Sequence, residues 1–219
     1  MSDELDTTKK SRRGRGIGTV IACFVAALVI AAVLDDEHAP HKPSVSIAIA
    51  DDEPIAEGEN RAVYKINKGH VVVKTTQGTA RVEMDPDLKD KAEISTQGGR
   101  TTISVDDSFS GDAEIRIHLP RTGSCRIELA AGFLEVEGLP CTENELTVRS
   151  GKMDVNDVPK AHGILKGEVS VGMVVIDGGD GPTKKSSGVG DLRAEAPATG
   201  EGPSLTARVD VGMLTVDVD

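Results

Sequence analysis

The sequence predicts an all-β fold: a right-handed β-solenoid, or β-helix-like stack, of Gly-anchored repeats about twenty residues long, preceded by one N-terminal transmembrane helix. Three observations carry this. Glycines recur at regular intervals through the C-terminal half, apolar and polar residues alternate in twos after most of them, and large side chains are scarce. The 219 residues include 24 Gly and 10 Pro but no Trp, one Tyr and three Phe. A bulky globular core is beyond such a composition, whereas Val, Ile, Leu and Ala fill a narrow space between closely stacked strands.

In chain order, residues 1–16 form a basic tail containing Lys9, Lys10, Arg12, Arg13 and Arg15. Residues 17–34, IGTVIACFVAALVIAAVL, run eighteen positions without a charge. As a helix this stretch spans about 27 Å at 1.5 Å per residue, enough to cross a bilayer. Cations precede it and Asp35, Asp36 and Glu37 follow it, so the rule that basic flanks stay inside places the tail in the cytosol and the body outside the cell (inner, cytoplasmic) membrane, periplasmic or extracellular. The competing reading is a cleaved signal peptide, but the apolar run exceeds a usual signal core and no A-x-A site follows it. V-I-A-C ending at Cys23 resembles a lipobox, yet eleven further apolar-run residues follow that cysteine, which reads as an ordinary helix residue. Sixteen cytosolic residues are too few to fold alone, so an inward signal needs a membrane partner.

Residues 35–60 mix acids, Pro and short apolar stretches and read as a charged spacer, in which only SVSIAIA has strand character. His38 and His41 lie there without a fixed scaffold and make a poor metal site. His70, His118 and His162 are scattered and receive no role.

Residues 61–219 form the β-repeat body. Its anchors are Gly132, Gly151, Gly172, Gly190 and Gly212, spaced 19, 21, 18 and 22 residues apart. Two residues after each anchor stand Leu134, Met153, Val174, Leu192 and Leu214, and four after it Val136, Val155, Ile176, Ala194 and Val216. This period of two marks a strand with one buried face. The apolar position three before the anchor, Leu129, Val148, Val169 and Val209, is out of phase with those after it, so the chain bends at the Gly. The fourth unit, with Ser187 there, is the weakest copy. A β-sandwich with recurring hairpins is the alternative. Upstream, Gly69 and Gly99 head looser copies with longer or hairpin-like strands, and Asp85-Pro86-Asp87 carries turn chemistry.

Residues 115–139, IRIHLPRTGSCRIELAAGFLEVEGL, followed by LTVRSGKMDV, resemble the bacterial putative-adhesin family, also called toastrack domains. The points of resemblance are an alternating strand ending in Leu119-Pro120, a second strand, then "apolar-x-x-G-x-apolar-x-apolar" units. The resemblance covers about residue 61 to the end and implies an extracytoplasmic, membrane-tethered module associated with envelope stress systems. That family has no catalytic residues to carry over.

Residues 35–219 have net charge −13, with 20 Lys or Arg against 33 Asp or Glu. Such a surface repels phosphate backbones and lacks aromatic stacking platforms, so nucleic acid is not an expected partner. There is no G-x-S-x-G, H-E-x-x-H, Walker A or C-x-x-C motif, and no enzyme or cofactor is expected. The DGGDGP turn, residues 177–182, has the Gly and Asp of calcium-binding β-rolls but only one copy. Five residues after the anchors come Glu137, Asn156, Asp177, Glu195 and Asp217; stacked in register about 4.8 Å apart, these acids repel unless a cation such as calcium, a basic partner or solvent relieves them. Cys125 and Cys141 are the only thiols of the body, and outside the cytosol a disulfide is expected between them, contributing about 3 kcal/mol.

The last strand runs to the C-terminus, and an uncovered rung there invites a partner strand or a second copy, with Asp210, Asp217 and Asp219 as opposing charges. The leading functional reading is a non-catalytic envelope protein that presents its repeat surface to protein or cell-wall partners, possessing a bilayer anchor and acting as accessory to an envelope stress response. The alternatives are a self-assembling homo-oligomeric solenoid and a β-helical polysaccharide hydrolase or lyase.

Overall fold

The computed structural model describes residues 45–48, 61–77, 79–97, 99–109, 114–120, 122–177 and 183–219. The expected membrane helix at 17–34 and the basic tail lie outside them, and among the described residues no helix is long and apolar enough to cross a membrane. The fold is all-β. Its strands are β1 (Val45–Ala48), β2 (Arg61–Thr76), β3 (Arg81–Met84), β4 (Ala92–Gln97), β5 (Arg100–Val105) and β6 (Glu114–Pro120). There follow the long strands β7 (Thr122–Glu137), β8 (Cys141–Val158), β9 (Leu165–Asp177), β10 (Lys184–Ala196) and β11 (Ser204–Val218).

The long strands bend at their glycines. Gly69, Gly132, Gly151, Gly212 and Gly172 stand side by side in the parallel pairings of β2, β7, β8, β11 and β9. All five have φ between +130° and +142°. The reason for glycine is contact as much as conformation: a Cβ built on Gly151 would lie 1.8 Å from the carbonyl oxygen of Gly132, and one on Gly212 1.6 Å from that of Gly151. Backbones at the corner are therefore too close for any side chain. The bend also restores phase, so that Leu129 and Leu134, an odd number of residues apart, are both buried.

Each bent strand thus has two arms and one inner face. The core fills the angle with Ile127, Leu129, Leu134 and Val136 of β7 stacked on Leu146, Val148, Met153 and Val155 of β8, all at 0 to 1 % exposure. At β2 the arms part company. Val63–Ile66 of the first arm pairs with β5 and through it with β4, while His70–Thr76 of the second pairs with β6 and through it with β3 and β1. The hairpin-like upstream strands expected from the sequence are these two diverging walls. Between β3 and β4, Asp85 caps a short 3-10 turn, Pro86–Leu88, accepting from the Asp87 N–H at 3.1 Å. β1 falls within the stretch read as a spacer, and it pairs antiparallel with β3.

The order of the stack differs from a solenoid wound rung after rung. Among the described strands only β7 and β8 are consecutive parallel neighbours; the order then runs β8, β11, β9, β10. β11 inserts between β8 and β9, pairing in parallel with both. β10 returns from β9 as an antiparallel hairpin and forms the edge. This corrects two expectations: the last strand is interior, not an uncovered end, and the fourth repeat is weak because its direction is reversed. Its corner, opposite Gly172, is Gly188 rather than Gly190, and Gly190 sits in a bulge between Val189 and Leu192.

Inserting β11 requires two connections to pass each other, and they are tied where they do. The Gly163 N–H donates to the Pro203 carbonyl at 2.9 Å, and the His162 carbonyl accepts from Thr199 N–H at 2.9 Å and Gly200 N–H at 3.1 Å. His162 is buried there. A Cβ on Gly202 would lie 1.7 Å from the Ala161 oxygen, so this crossing is also glycine-dependent.

On the wall of β3 and β6, Glu83 lies 3.0 Å from Arg81 Nε and 3.3 Å from His118 Nε2. Burial alone raises its carboxyl pKa, but the hydrogen bonds and charges of Arg81 and His118 together outweigh burial and hold it below the ordinary carboxylate value. A depressed folded-state value adds stability above the ordinary value and loses it as pH falls through the folded one. Glu83→Gln is therefore expected to lower the melting temperature at neutral pH, with the gap from wild type closing as pH falls below the ordinary carboxylate range; parallel melts across pH check this.

Candidate contact surface

The outward faces of the bent strands carry the chemistry left after the core is filled. On the first arm, charges alternate along and across strands. Lys65 pairs with Glu128 at 3.3 Å, Arg126 with Glu128 at 2.7 Å and Glu145 at 3.5 Å, and Arg193 with Glu168 at 3.1 Å. Such exposed pairs each contribute little stability, but they leave this face locally neutral.

The second arm carries a row one residue past the glycines. His70 stacks on Phe133, centroids 4.8 Å apart and planes 16° from parallel, and Lys152 Nζ lies 5.0 Å from the Phe133 ring centre. Lys152 also pairs with Asp154 at 2.5 Å, and His70 Nε2 lies 3.5 Å from Glu135 Oε2. The same row continues on β11 and β9 with Met213 and Met173. One residue before the glycines runs a second row, Ala131, Ser150, Val211, Val171 and, on β10, Val189. Val189 is 71 % exposed and Val211 37 %. An apolar ridge therefore follows the corner towards the β10 edge. This ridge escaped the sequence reading, although aligning the position before each anchor displays it.

Of the expected acidic ladder, the structure brings together two pairs. Glu137 stands beside Asn156, and Asp217 beside Asp177. A bulge lies between the pairs, with Asn156 and Asp157 together facing Asp217 and Asp157 at φ +55°. Glu137 is matched by Lys74 at 2.6 Å, so one end of the ladder is neutralised by a side chain of β2. Glu195 is elsewhere: the reversal of β10 sets it opposite Lys166 on the first arm. Among the described residues no group of three or more His, Cys, Asp or Glu side chains gathers to hold a metal ion. In the DGGDGP turn, Asp177 accepts from Thr183 Oγ1 at 3.3 Å, and residues 178–182 lie outside the described residues, as do His38, His41 and Cys23.

Cys125 and Cys141 are brought together as a disulfide, their Cα atoms 5.9 Å apart. The reason is register: β7 and β8 stack with an offset of nineteen residues, which sets Cys125 beside Asn144, three residues beyond Cys141. Asn144 is 3 % exposed. Its Oδ1 accepts from Cys141 N–H at 3.1 Å, and its Nδ2 donates to the Cys141 carbonyl at 2.6 Å and the Ser204 carbonyl at 3.0 Å. The Cys125 sulfur, 3.4 Å from Oδ1, has no proton to give once in the disulfide, so that approach is packing rather than a hydrogen bond.

No family model matches the sequence, and no curated protein matches it. Among solved structures, the chain is similar to a putative cell adhesion protein from Clostridium sporogenes, at 12 % identity and TM-score 0.44, covering 81 % of this chain and 99 % of that one. It is also similar to a putative adhesin from Bacteroides fragilis, at 12 % identity and TM-score 0.37 over 82 % of this chain and 99 % of that one. A third, a putative adhesin from Parabacteroides merdae, gives 9 % identity and TM-score 0.28 over 81 % and 95 %.

Proposed function

We propose that this chain is a non-catalytic, membrane-tethered envelope protein whose β body stands outside the cytoplasmic membrane and presents its outer strand faces to protein or cell-wall partners. The observation that carries the reading is the charge asymmetry around residues 17–34, five cations before an uncharged run and three acids directly after it. The Cys125–Cys141 disulfide supports it, because such bonds persist in oxidising compartments. The non-catalytic part is supported by the carboxylates of the outer faces: Glu128, Glu137 and Asp154 are each matched to a cation rather than converging on a shared cleft. An accessory to an envelope stress system is the finer form of the reading.

Photo-crosslinkers placed at Val211 and Met213 in living cells, followed by identification of what is captured, test the contact role. Recovery of a membrane kinase or anti-sigma factor supports the accessory reading. Wall polymer supports adhesion, and no adduct beyond the protein's own neighbourhood on any outer face overturns a contact role.

A further inference from the structure

We infer that β10 is a self-association edge, at which a second copy of this chain pairs antiparallel about a twofold axis through Gly190. Among the described strands of the corner stack, β10 is bonded on one side only, to β9. Its backbone groups on the other side form a strand-long template for another chain.

Three features point to a copy of itself as the occupant. The first is geometric. β9 and β10 show that two strands bent at glycines pair antiparallel around a corner, with Gly172 opposite Gly188 and the first arm of each against the second arm of the other. A copy of β10 likewise sets first arm against second arm, its bend spread over Gly188 and Gly190, both at positive φ, so that with Gly190 on the axis each Gly188 faces Leu192 of the other copy across the bend. The second is phase. With Gly190 on the axis, Lys184, Lys185, Ser186, Ser187 and Gly188 fall opposite Ala196, Glu195, Ala194, Arg193 and Leu192 of the second copy. Inner positions then meet inner positions, since Lys184 and Ser186 share register with Ile176 and Val174, and Leu192, Ala194 and Ala196 with Val169, Gly167 and Leu165. Leu192 and Ala196, half-buried at the open end of the core, would be sealed.

The third feature is charge. β10 is cationic in its first half and bears Asp191 and Glu195 in its second, so antiparallel self-pairing sets Lys185 against the second copy's Glu195, twice by symmetry. Moving the register by two residues sets Lys185 against Arg193 instead, which repels. The exposed Val189 and the open Gly190, with nothing within 4 Å of its built Cβ, lie at the axis. The bulge between Val189 and Leu192 divides the ladder into two short arms and keeps the pairing modest. Because the contact is isologous it consumes the edge, giving a closed dimer rather than a fibre.

The test uses the purified full-length chain in detergent, with molecular mass followed against concentration by sedimentation. A concentration-dependent dimer is expected. Lys185→Glu is expected to weaken it about tenfold or more, the scale of two cross-strand attractions turned repulsive. Combining Lys185→Glu with Glu195→Lys is expected to restore it to within about threefold of wild type. Gly190→Cys is expected to yield a disulfide-linked dimer. A chain that stays monomeric to millimolar concentration overturns the inference, as does a dimer that ignores Lys185→Glu or one that the double exchange does not rescue. Circular dichroism melts of each variant establish that the body is folded when its mass is read.

Discussion

Gly151→Ala is expected to cost at least about 4 kcal/mol and to lower the melting temperature by roughly 10 °C. The added carbon meets the Gly132 oxygen at 1.8 Å and its carbonyl carbon at 2.8 Å. No rotamer relieves that, because Cβ has none. The residue also sits at φ +138°, where an L side chain is strained wherever it is placed. Relief requires opening the spacing between β7 and β8 at the corner, which loosens the inner rows on both arms. Gly190→Ala is the matched control. Gly190 has φ +124° but meets nothing within 4 Å, so only the conformational part, about 1 to 3 kcal/mol, is expected. Equal losses at the two positions would show that close approach of backbones is not what the glycine row provides.

Asn144→Ala is expected to cost about 3 kcal/mol. The side chain is the partner of the Cys141 N–H and of the Cys141 and Ser204 carbonyls, in a buried place beside the disulfide. Removing it leaves up to three backbone groups unpaired, each of which costs about 1 to 3 kcal/mol when water cannot reach it. Partial entry of water into the space left behind sets the figure well below the sum. Because Ser204 opens β11 and Cys141 opens β8, the variant should fray the inserted strand first. Hydrogen exchange at the start of β11 checks this, with the exposed Glu143→Ala as control. Unchanged protection there would remove Asn144 as the tie between the two strands.

Much of the body was legible in the sequence because the period of two and the recurring glycine are local signals. Gly132, Gly151, Gly172 and Gly212 fall in one row, and the apolar positions two and four after each are buried as the alternation requires. What was not legible is long-range order. Alternation reports which face of a strand is buried, not which neighbour covers it, so nothing local says that β11 enters between β8 and β9. Reversal of β10 was visible only as a poor fourth copy, and it moved both Gly190 and Glu195 out of the rows where spacing had set them. The expected acidic ladder suffered the same way. Its members share a phase, but Lys74, a residue outside the five counted repeats, neutralises Glu137.

The outer surface was the least legible part, for a physical reason. Inner positions are constrained by packing and so repeat, whereas outer positions need only remain soluble or meet a partner. Lys185 of β10 thus falls in no row that the repeat spacing singles out.

The most direct test of a body displayed outside the membrane is labelling in intact cells of the full chain carrying Ile164→Cys, with a membrane-impermeant maleimide. The exposed position 164, away from the β10 edge, should label before lysis, in material that fractionates with the membrane, while Cys125 and Cys141 stay unreactive without reductant. Labelling only after the cytoplasmic membrane is broken, or free reactive thiols at Cys125 and Cys141, would contradict a tethered body folded on the oxidising side.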